Sequence, residues 1–436
     1  MDPALLATLR IHNPWLDRPG DQQALLAATL PQPFIPRRRR LELRPGRAEL
    51  VVGPRQAGKS TWIREVLSHF EGPVLVLHAE EPRIRELAQS PALALDALTE
   101  VLSPDTLLLF EEIQHLTEAP LFIKGLVDLD RTRRIVATGS SSFAFSARTR
   151  ESLAGRARRT QLLPFSLQEV SALVPEGLAP AIRDLRFREL WEKLVVTGGY
   201  PEPWSEPDPT TVLHYLVEAF VLKDVSDLHQ IERPSVFRKL LELAAADIGN
   251  LVNLTEWAGL AQASRQTVGR YLEIAEEAHV LRLVPPFAGG KRSEITGTPK
   301  VFFLDNGLRN AVFGGFQASG DRPDRGALWE NAVFNELAKR LELLDEILFW
   351  RSKSGAEMDF VVRRGERMVA IEVKAAELAR PSVSRGTHSF LEAYRPACLG
   401  VVNASLRLDT VEEGIPIRFV RPWEIDVVLG ELEAAG

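Results

Sequence analysis

Short apolar runs alternate with segments of helical spacing over the first third of the chain. Ala48–Val52 is a continuous apolar run apart from one acidic residue, and the apolar positions of Thr61–Phe70 recur at helical spacing. Further apolar runs follow at 73–78, 106–110 and 134–138. Such runs are typical of parallel strands that helices cover on both faces. The pattern predicts an α/β fold, a three-layer core that extends to about Pro164.

The remainder of the chain has a different pattern. Helical periodicity dominates Leu167–Val225, and Leu254–Leu283 has a compact two-helix pattern that ends in an apolar strand. The last part opens with a predicted helix, Leu328–Leu341, which is followed by alternating segments at 347–351, 357–363 and 368–373. These patterns predict a helical subdomain, a small helix-turn-helix element and a second α/β domain.

The loop after the first strand carries the clearest chemistry. Its sequence, GPRQAGKS, is a complete G-x-x-x-x-G-K-[ST] phosphate loop between a strand and a helix. Backbone N–H groups and a helix N-terminus can surround polyphosphate where glycines leave space. Lys59 is expected to reach the β- and γ-phosphates, and the Ser60 hydroxyl to bind Mg²⁺. The predicted ATP-binding residues are Gly53, Pro54, Arg55, Gln56, Ala57, Gly58, Lys59, Ser60 and Thr61.

A pair of acidic residues follows the third apolar run. Glu111 and Glu112 end the sequence LLLFEE, which is typical of a Walker B strand. We expect Glu111 to hold Mg²⁺ and Glu112 to polarise the attacking water. Glu111 stands where aspartate is usual. A second interpretation beside hydrolysis is therefore that ATP is a structural ligand and is turned over only slowly.

Two further groups are candidates for sensing or completing the γ-phosphate site. Ser140 follows the fourth strand as a predicted sensor, and the alternative is a helix cap. Arg156 leads an arginine cluster and is the candidate arginine finger, in cis or from a second subunit, with a surface salt bridge as the alternative. The basic run Arg37–Arg40 is either a solvated face or a phosphate contact.

The two-helix pattern has helix-turn-helix proportions. Residues 255–261 and 264–278 are predicted helices around a short turn, and 280–284 is a following strand. The second helix would present side chains that can contact phosphates or base edges: Arg265, Gln266, Thr267 and Arg270. Its acidic second half argues against deep insertion into a groove. DNA contact and a protein-contact role therefore both stay open.

The last domain carries a second set of acidic residues. Asp359, Glu372 and Lys374 form a D…ExK pattern on adjacent predicted strands, and Glu330 lies on the preceding helix. Asp359 and Glu372 could hold Mg²⁺ against a scissile phosphate while Lys374 orients water. Glu372 and Lys374 are two residues apart and therefore share one face of their strand. The pattern is that of PD-(D/E)xK nucleases, and a fold retained without cleavage is the alternative.

Composition limits the setting. The chain of 436 residues has a net charge of −6, so DNA contact requires a local basic patch. The single cysteine, Cys398, excludes intramolecular disulfides and cysteine zinc sites. No apolar run approaches the ~18 residues of a membrane span, and the N-terminus lacks a signal-peptide pattern, so we expect a cytoplasmic protein without a membrane partner.

Taken in order, these motifs resemble bacterial and archaeal AAA-type P-loop ATPases whose C-terminal half is a domain of unknown function. Further matching strings are NPW near the start, ATGSSS, SLAGRARR, GGYPEP, KVFFLDNGLRNAV, GALWENAVFNELAKR, GAEMDFVV and IEVK. The resemblance implies an ATPase core, a helical region, a winged helix and a nuclease-like end. The implied domains are an N-terminal lead 1–45, the ATPase core 46–165, a helical lid 166–245, a winged helix 246–300 and a nuclease-like domain 301–436.

Two functions are consistent with this sequence. The first is an Mg²⁺-dependent ATPase that couples nucleotide state to the binding or processing of DNA, with branched or single-stranded DNA as substrate classes. The second is a regulatory ATP switch that acts on a protein partner without nucleic acid. Homo-oligomerisation is an open expectation, because AAA-type ATPases often complete one site with an arginine from the next subunit.

Overall fold

The fold is described by a computed structural model, which covers residues 1–139, 153–287, 289, 297–341 and 345–433. The chain divides into two compact units, Met1–Leu163 and Pro164–Gly436. Each unit is built around its own sheet. Within the described ranges, no helix is long and apolar enough to cross a membrane.

The first unit contains a parallel five-stranded sheet in the order β2-β3-β4-β1-β5. Its strands are β1 Ala48–Val52, β2 Val74–His78, β3 Leu107–Glu111, β4 Ile135–Gly139 and β5 Ala157–Gln161. The helices are α1 Pro3–His12, α2 Gln22–Ala27, α3 Lys59–Ser68, α4 Pro82–Leu87, α5 Pro91–Ala97 and α6 Ala119–Leu129. Short 3-10 turns lie at Pro14–Leu16, Pro19–Asp21 and Ile113–His115.

Both faces of this sheet are buried. One cluster includes Leu50, Leu77 and Phe110, and the other includes Val51, Val76 and Leu109, so successive residues of each strand enter opposite cores. This arrangement explains why the strands read as continuous apolar runs. The prediction of an α/β core is confirmed.

The N-terminal lead protects one edge of the sheet. The Asn13 side chain accepts a hydrogen bond from the Val76 N–H at 2.6 Å and donates one to the Val76 carbonyl at 2.9 Å. Gln22 accepts from the Val74 N–H at 2.8 Å, and the Trp15 indole donates to the Val74 carbonyl at 2.8 Å. Side-chain amides thus take the place of a further strand beside β2 and satisfy an edge that would otherwise be free to pair.

The second unit begins with helices. They are α7 Leu167–Val170, α8 Pro180–Thr197, α9 Glu202–Ser205, α10 Pro209–Leu216, α11 Val225–Leu228, α12 Pro234–Ala246, α13 Leu254–Leu260 and α14 Arg265–Glu277. A π-helix, Val217–Asp224, joins α10 to α11, and a 3-10 turn spans Ser171–Leu173. Strands β6 Leu281–Val284 and β7 Lys300–Phe303 follow and pair antiparallel.

A six-stranded mixed sheet in the order β12-β13-β11-β10-β9-β8 completes this unit. Its strands are β8 Asp345–Arg351, β9 Glu357–Arg364, β10 Arg367–Lys374, β11 Cys398–Asn403, β12 Leu408–Glu412 and β13 Ile415–Val420. The helices are α15 Asn306–Val312, α16 Arg325–Arg340, α17 Arg385–Tyr394 and α18 Asp426–Leu429. Further 3-10 turns lie at Ser319–Asp321, Pro422–Glu424 and Gly430–Leu432.

Two sequence motifs of the second unit meet in its interior. Asp305 is 1% exposed and accepts hydrogen bonds from the Gly199 N–H at 2.7 Å and the Leu308 N–H at 3.1 Å. A Cβ atom at Gly199 would lie 2.2 Å from the Phe165 carbonyl oxygen, so this close approach requires glycine. The segments GGYPEP and FLDNGLRNA are therefore joined by a buried polar contact through the Asp305 carboxylate.

Candidate functional site

The phosphate loop lies at the carboxyl end of β1, where parallel α/β sheets bind ligands. Gly58 has φ +88° and starts α3, so the loop enters the helix through a left-handed turn that favours glycine. A Cβ atom at Gly53 would lie 2.0 Å from the Leu162 carbonyl oxygen, because β5 passes directly beside the loop. Both positions therefore require glycine for steric reasons, as the motif predicts.

Lys59 is directed back onto the loop. Its ammonium group donates hydrogen bonds to the carbonyls of Gly53 at 3.1 Å and Pro54 at 2.9 Å, and the residue is 5% exposed. Burial lowers the pKa of Lys59 to about 8, although the nearby Glu112 opposes the shift. Bound phosphates would replace the two carbonyls and restore a strong preference for the charged ammonium.

Glu111 ends β3 beside the loop. Its carboxylate lies 2.9 Å from His78 Nε2 and 3.5 Å from a guanidinium nitrogen of Arg64. Burial raises the pKa of Glu111, but the neighbouring His78 and Ser60 side chains outweigh burial and lower it to about 2. The carboxylate is therefore ionised and lies beside the Ser60 hydroxyl, which is the pairing of oxygen ligands expected of an Mg²⁺ site.

Glu112 adopts a backbone conformation that is uncommon for a residue with a side chain. Its φ is +56°, and its N–H donates to the Thr138 hydroxyl at 3.0 Å. Gln114 Nε2 donates to the Glu112 carboxylate at 2.5 Å. A left-handed non-glycine residue costs about 1 kcal/mol or more and persists only where neighbours hold it. Here Thr138, at the end of β4, holds the turn that separates the Glu112 carboxylate from that of Glu111.

Two predicted residues do not join this cluster. Arg156 lies just before β5 and donates to Asp128 at 2.8 Å. Because β5 runs parallel to β1, Arg156 is at the opposite end of the strands, roughly 20 Å from the start of the loop at about 3.3 Å per residue. Arg156 is therefore remote from the loop of its own chain and forms the salt bridge that was the alternative, while its role as an arginine finger stays a prediction. Ser140 lies outside the described residues.

Sequence reasoning missed three residues that shape the phosphate-loop site: Arg64, His78 and Thr138. A fourth, Arg37, belongs to the basic run for which a phosphate contact was one of two alternatives. Arg37 donates to the Leu163 carbonyl at 3.0 Å and also to the Ala57 carbonyl within the loop. A signal for His78 was available in the sequence, because this polar residue ends the apolar run of β2 and the carboxyl ends of parallel strands face the ligand.

The predicted DNA-contact residues lie at the start of α14. Ser264 caps this helix by accepting from the Thr267 N–H at 3.0 Å. Arg265, Gln266 and Arg270 are exposed, while Thr267 is half-buried and shares a hydrogen bond with the cap. The acidic second half of α14 is less exposed than its sequence implies, because Glu276 accepts from the Leu283 N–H at 2.7 Å and ties the helix to β6.

The D…ExK residues converge where β9 and β10 separate. Beyond the paired residues Phe360 and Ile371, the Asp359 carboxylate accepts a hydrogen bond from the Val373 N–H at 2.7 Å. Glu372 is 5% exposed and lies 2.5 Å from the Lys374 ammonium. Thr387 of α17 donates to the same carboxylate at 2.6 Å.

Glu330 of α16 lies on the other side of Asp359. Burial raises the pKa of both Glu330 and Asp359; the nearby Asp359 adds to the rise for Glu330, and Glu372 adds to the rise for Asp359. Lys300, which sequence reasoning did not single out, lies 3.2 Å from Glu330 and forms an ion pair with Glu357. In the described part of the chain, no group of three or more His, Cys, Asp or Glu side chains is arranged to hold a metal ion.

Comparisons with known proteins agree with this description of the first unit. Residues 46–171 match a family described as an AAA domain, and residues 188–319 and 325–420 match two domains of unknown function, DUF8612 and DUF4143. Together with the phosphate loop and the parallel sheet, the first match supports an AAA-type P-loop ATPase core. The mixed sheet of the second unit is separate from it.

Similar proteins occur in bacteria and archaea. An uncharacterised protein of Mycobacterium tuberculosis is 29% identical over 361 residues, which cover 81% of this chain and 75% of that protein. An uncharacterised protein of Methanocaldococcus jannaschii is 25% identical over 384 residues, with 84% and 83% covered. Among solved structures, the Aeropyrum pernix ORC1 protein in complex with DNA matches with a TM-score of 0.28 and 15% identity, covering 70% of this chain and 91% of that chain.

Proposed function

We propose that this protein binds and hydrolyses ATP with Mg²⁺ and couples the nucleotide state to DNA contact. The observation that carries the ATPase part is the convergence of Lys59, Ser60, Glu111 and Glu112 at one edge of the sheet. These residue types fit a nucleotide with its metal, because an ammonium, a hydroxyl and two carboxylates supply a phosphate contact, metal ligands and a water-activating group.

Each residue would have a separate task in hydrolysis. Lys59 would leave the loop carbonyls for the β- and γ-phosphates, and Ser60 and Glu111 would hold Mg²⁺, which offsets phosphate charge. Glu112 would accept a hydrogen bond from the attacking water and orient it in line with the γ-phosphate. His78 and Arg64 would hold the Glu111 carboxylate in place. They would thereby restrict the longer side chain of glutamate at a position where aspartate is usual.

The DNA part of the proposal is supported by the order and pairing of elements from α12 to β7. Three helices, α12, α13 and α14, precede the β6–β7 hairpin, and Leu251 between α12 and α13 forms an antiparallel bridge with Lys300 of β7. This order and pairing support a winged helix, in which α14 would be the helix that approaches DNA. Its exposed first turns carry Arg265, Gln266 and Arg270, and Arg282 is exposed on β6.

The decisive experiment is steady-state ATP hydrolysis with and without single-stranded, duplex and four-way-junction DNA. Lys59→Ala serves as the blank, because loss of the ammonium removes phosphate binding. We expect one DNA form to stimulate turnover. Turnover that is indifferent to every DNA form would favour the rival function, a regulatory ATP switch that acts on a protein partner, while no turnover at all would favour a structural nucleotide.

Nuclease activity is a second candidate, and the αβββαβ order of α16, β8, β9, β10, α17 and β11 supports it. Asp359 and Glu372 would be the Mg²⁺ ligands, with Glu330 nearby and Lys374 beside the scissile phosphate. The test is Mg²⁺-dependent strand cleavage by the full chain that disappears in Asp359→Asn while ATP turnover is retained. Cleavage that survives this substitution would come from elsewhere.

A further inference from the structure

The side chain of Lys300 enters the interior of the second unit from the first position of β7. The residue is 3% exposed, although lysine is almost never fully buried without a partner. Its backbone is fixed on both sides, by pairing with Val284 of β6 and by the bridge to Leu251. Lys300 therefore cannot turn toward solvent without disrupting the hairpin.

The Lys300 ammonium faces three acidic residues from two elements, which we call the acid cluster: Glu330 of α16, and Glu357 and Asp359 of β9. The Lys300 Nζ atom lies 3.2 Å from Glu330 Oε1 and forms an ion pair with Glu357. Asp359 is close enough to contribute to the electrostatic stabilisation of the ammonium. No other Lys or Arg contact with Glu330 or Glu357 occurs among the described residues.

The pocket around this contact is closely fitted. Gly249 has φ +75°, and a Cβ atom there would lie 3.2 Å from Glu330 Oε2. The ring centroid of Phe349 is 5.4 Å from the Lys300 ammonium. The neighbouring acids are engaged elsewhere, since Asp359 accepts the Val373 N–H and Glu372 is bonded to Lys374 and Thr387. A divalent ion could enter only by displacing the ammonium.

We propose that Lys300 is the resident cation of the acid cluster and excludes divalent metal ions from it. Displacement would leave a buried ammonium unpaired against an aromatic ring, and breaking a buried ion pair by removing one partner is strongly unfavourable. The Lys300 ammonium, rather than a metal ion, then links α16 and β9 to the β6–β7 hairpin. This proposal does not depend on ATP-coupled DNA contact. It and the nuclease candidate exclude each other, because both assign a role to Asp359 and only one of them admits a divalent ion beside it.

The test is the thermal stability of the full chain during titration with Mn²⁺ at pH 8 without nucleotide. A ligand that binds only the folded state raises the melting temperature. We expect less than about 1 °C for the wild type and a shift of about 5 °C for Lys300→Met, in which the carboxylates have lost their cation. The double variant Lys300→Met with Asp359→Asn should lose most of that shift, because one metal ligand is gone.

Lys239→Met is the matched control. Lys239 also pairs with a glutamate, Glu242, but the pair is exposed, so its loss should create no response to Mn²⁺. Weak Mn²⁺ binding at the phosphate loop is common to the wild type and all variants, so it cancels when their melting-temperature shifts are compared.

Two results would overturn the proposal. One is a saturable Mn²⁺ response of the wild type that Asp359→Asn removes, which would show that metal already enters the cluster. The other is a folded Lys300→Met protein that responds no more than the wild type. If Lys300→Met does not fold, Lys300→Gln replaces it. Mn²⁺ binding by the wild type and by Asp359→Asn, followed by electron paramagnetic resonance, then shows whether metal enters the acid cluster of the wild type.

Discussion

The Glu111 carboxylate is positioned by basic and polar side chains at the end of β3. It is buried and lies 2.9 Å from His78 Nε2 and 3.5 Å from a guanidinium nitrogen of Arg64. We predict that Glu111→Asp, although aspartate is usual in this motif, weakens the site, because the shorter carboxylate withdraws from His78. The Mg²⁺ concentration for half-maximal turnover should rise about tenfold, as expected for loss of one charged hydrogen bond.

A second readout separates this effect from altered chemistry. The affinity for a fluorescent ATP analogue should fall in the presence of Mg²⁺ and stay unchanged without it. Glu80→Asp is the control, because Glu80 also lies beside a histidine, His115 at 3.3 Å, but is largely exposed. An unchanged Mg²⁺ requirement in Glu111→Asp would show that His78 does not position the metal ligand.

Glu112 is expected to act on water rather than on nucleotide affinity. We predict that Glu112→Gln lowers turnover by at least about 100-fold, because an amide cannot accept a proton, while ATP affinity stays within about twofold. The substitution preserves side-chain size in the left-handed turn that Thr138 holds. Single-turnover hydrolysis and equilibrium ATP binding check the two parts, and retained turnover would mean that another group activates the water.

At the scale of the element, β1 contains an acidic residue inside an otherwise apolar strand. Glu49 is 3% exposed and lies opposite Arg158 of β5. Burial raises the pKa of Glu49 to about 7, with Arg158 opposing the shift. An acid whose pKa is raised on folding stabilises the fold only while it is protonated, so its contribution falls as pH rises from about 4.5 to about 7.

We therefore predict that Glu49→Gln, which mimics the protonated form, stabilises the protein relative to the wild type more at high pH than at low pH. Relative to the wild type, its free energy of unfolding should rise by about 2 kcal/mol between pH 5 and pH 8. Urea unfolding at both pH values measures the difference. Glu42→Gln, at an exposed salt bridge with Arg158, should show no such gain. A pH-independent difference in Glu49→Gln would contradict the raised pKa.

At the scale of the whole molecule, the proposal requires α14 to contact DNA from the second unit. We predict that Arg265→Ala with Arg270→Ala weakens duplex binding and reduces the slope of log affinity against log salt concentration by about 2, because each arginine releases about one counterion. DNA-stimulated ATP turnover should fall with the affinity. Fluorescence anisotropy over a salt series makes the measurement.

Arg186→Ala with Arg188→Ala is the control for charge alone. These arginines lie on α8 and form exposed pairs with Glu189 and Glu377. Their loss changes the net charge by the same amount but should leave the salt slope unchanged. Equal effects of both double variants would indicate non-specific attraction rather than contact through α14.

The sequence by itself determined the elements whose patterns are local. The phosphate loop, the strands near 48, 74, 107 and 135, and the helices of the helix-turn-helix element were predictable, because apolar periodicity and glycine placement depend on neighbouring residues alone. The strand β5 was missed, since Arg158 and Arg159 make its sequence resemble a surface cluster. The last three strands were missed as well, because their burial arises from partners distant along the chain.

Only the tertiary structure decided which side chains meet. The sequence placed Arg156 near the nucleotide by its residue type, but strand direction carries it to the far end of the strands. The position of His78 at the end of an apolar run indicated the ligand side of the sheet but not a contact with Glu111. Nothing in the local pattern indicated that Lys300 would enter the acid cluster across 30 and 57 residues of chain. Charge pairing in a buried site depends on distances between elements, and local pattern carries no information about those distances.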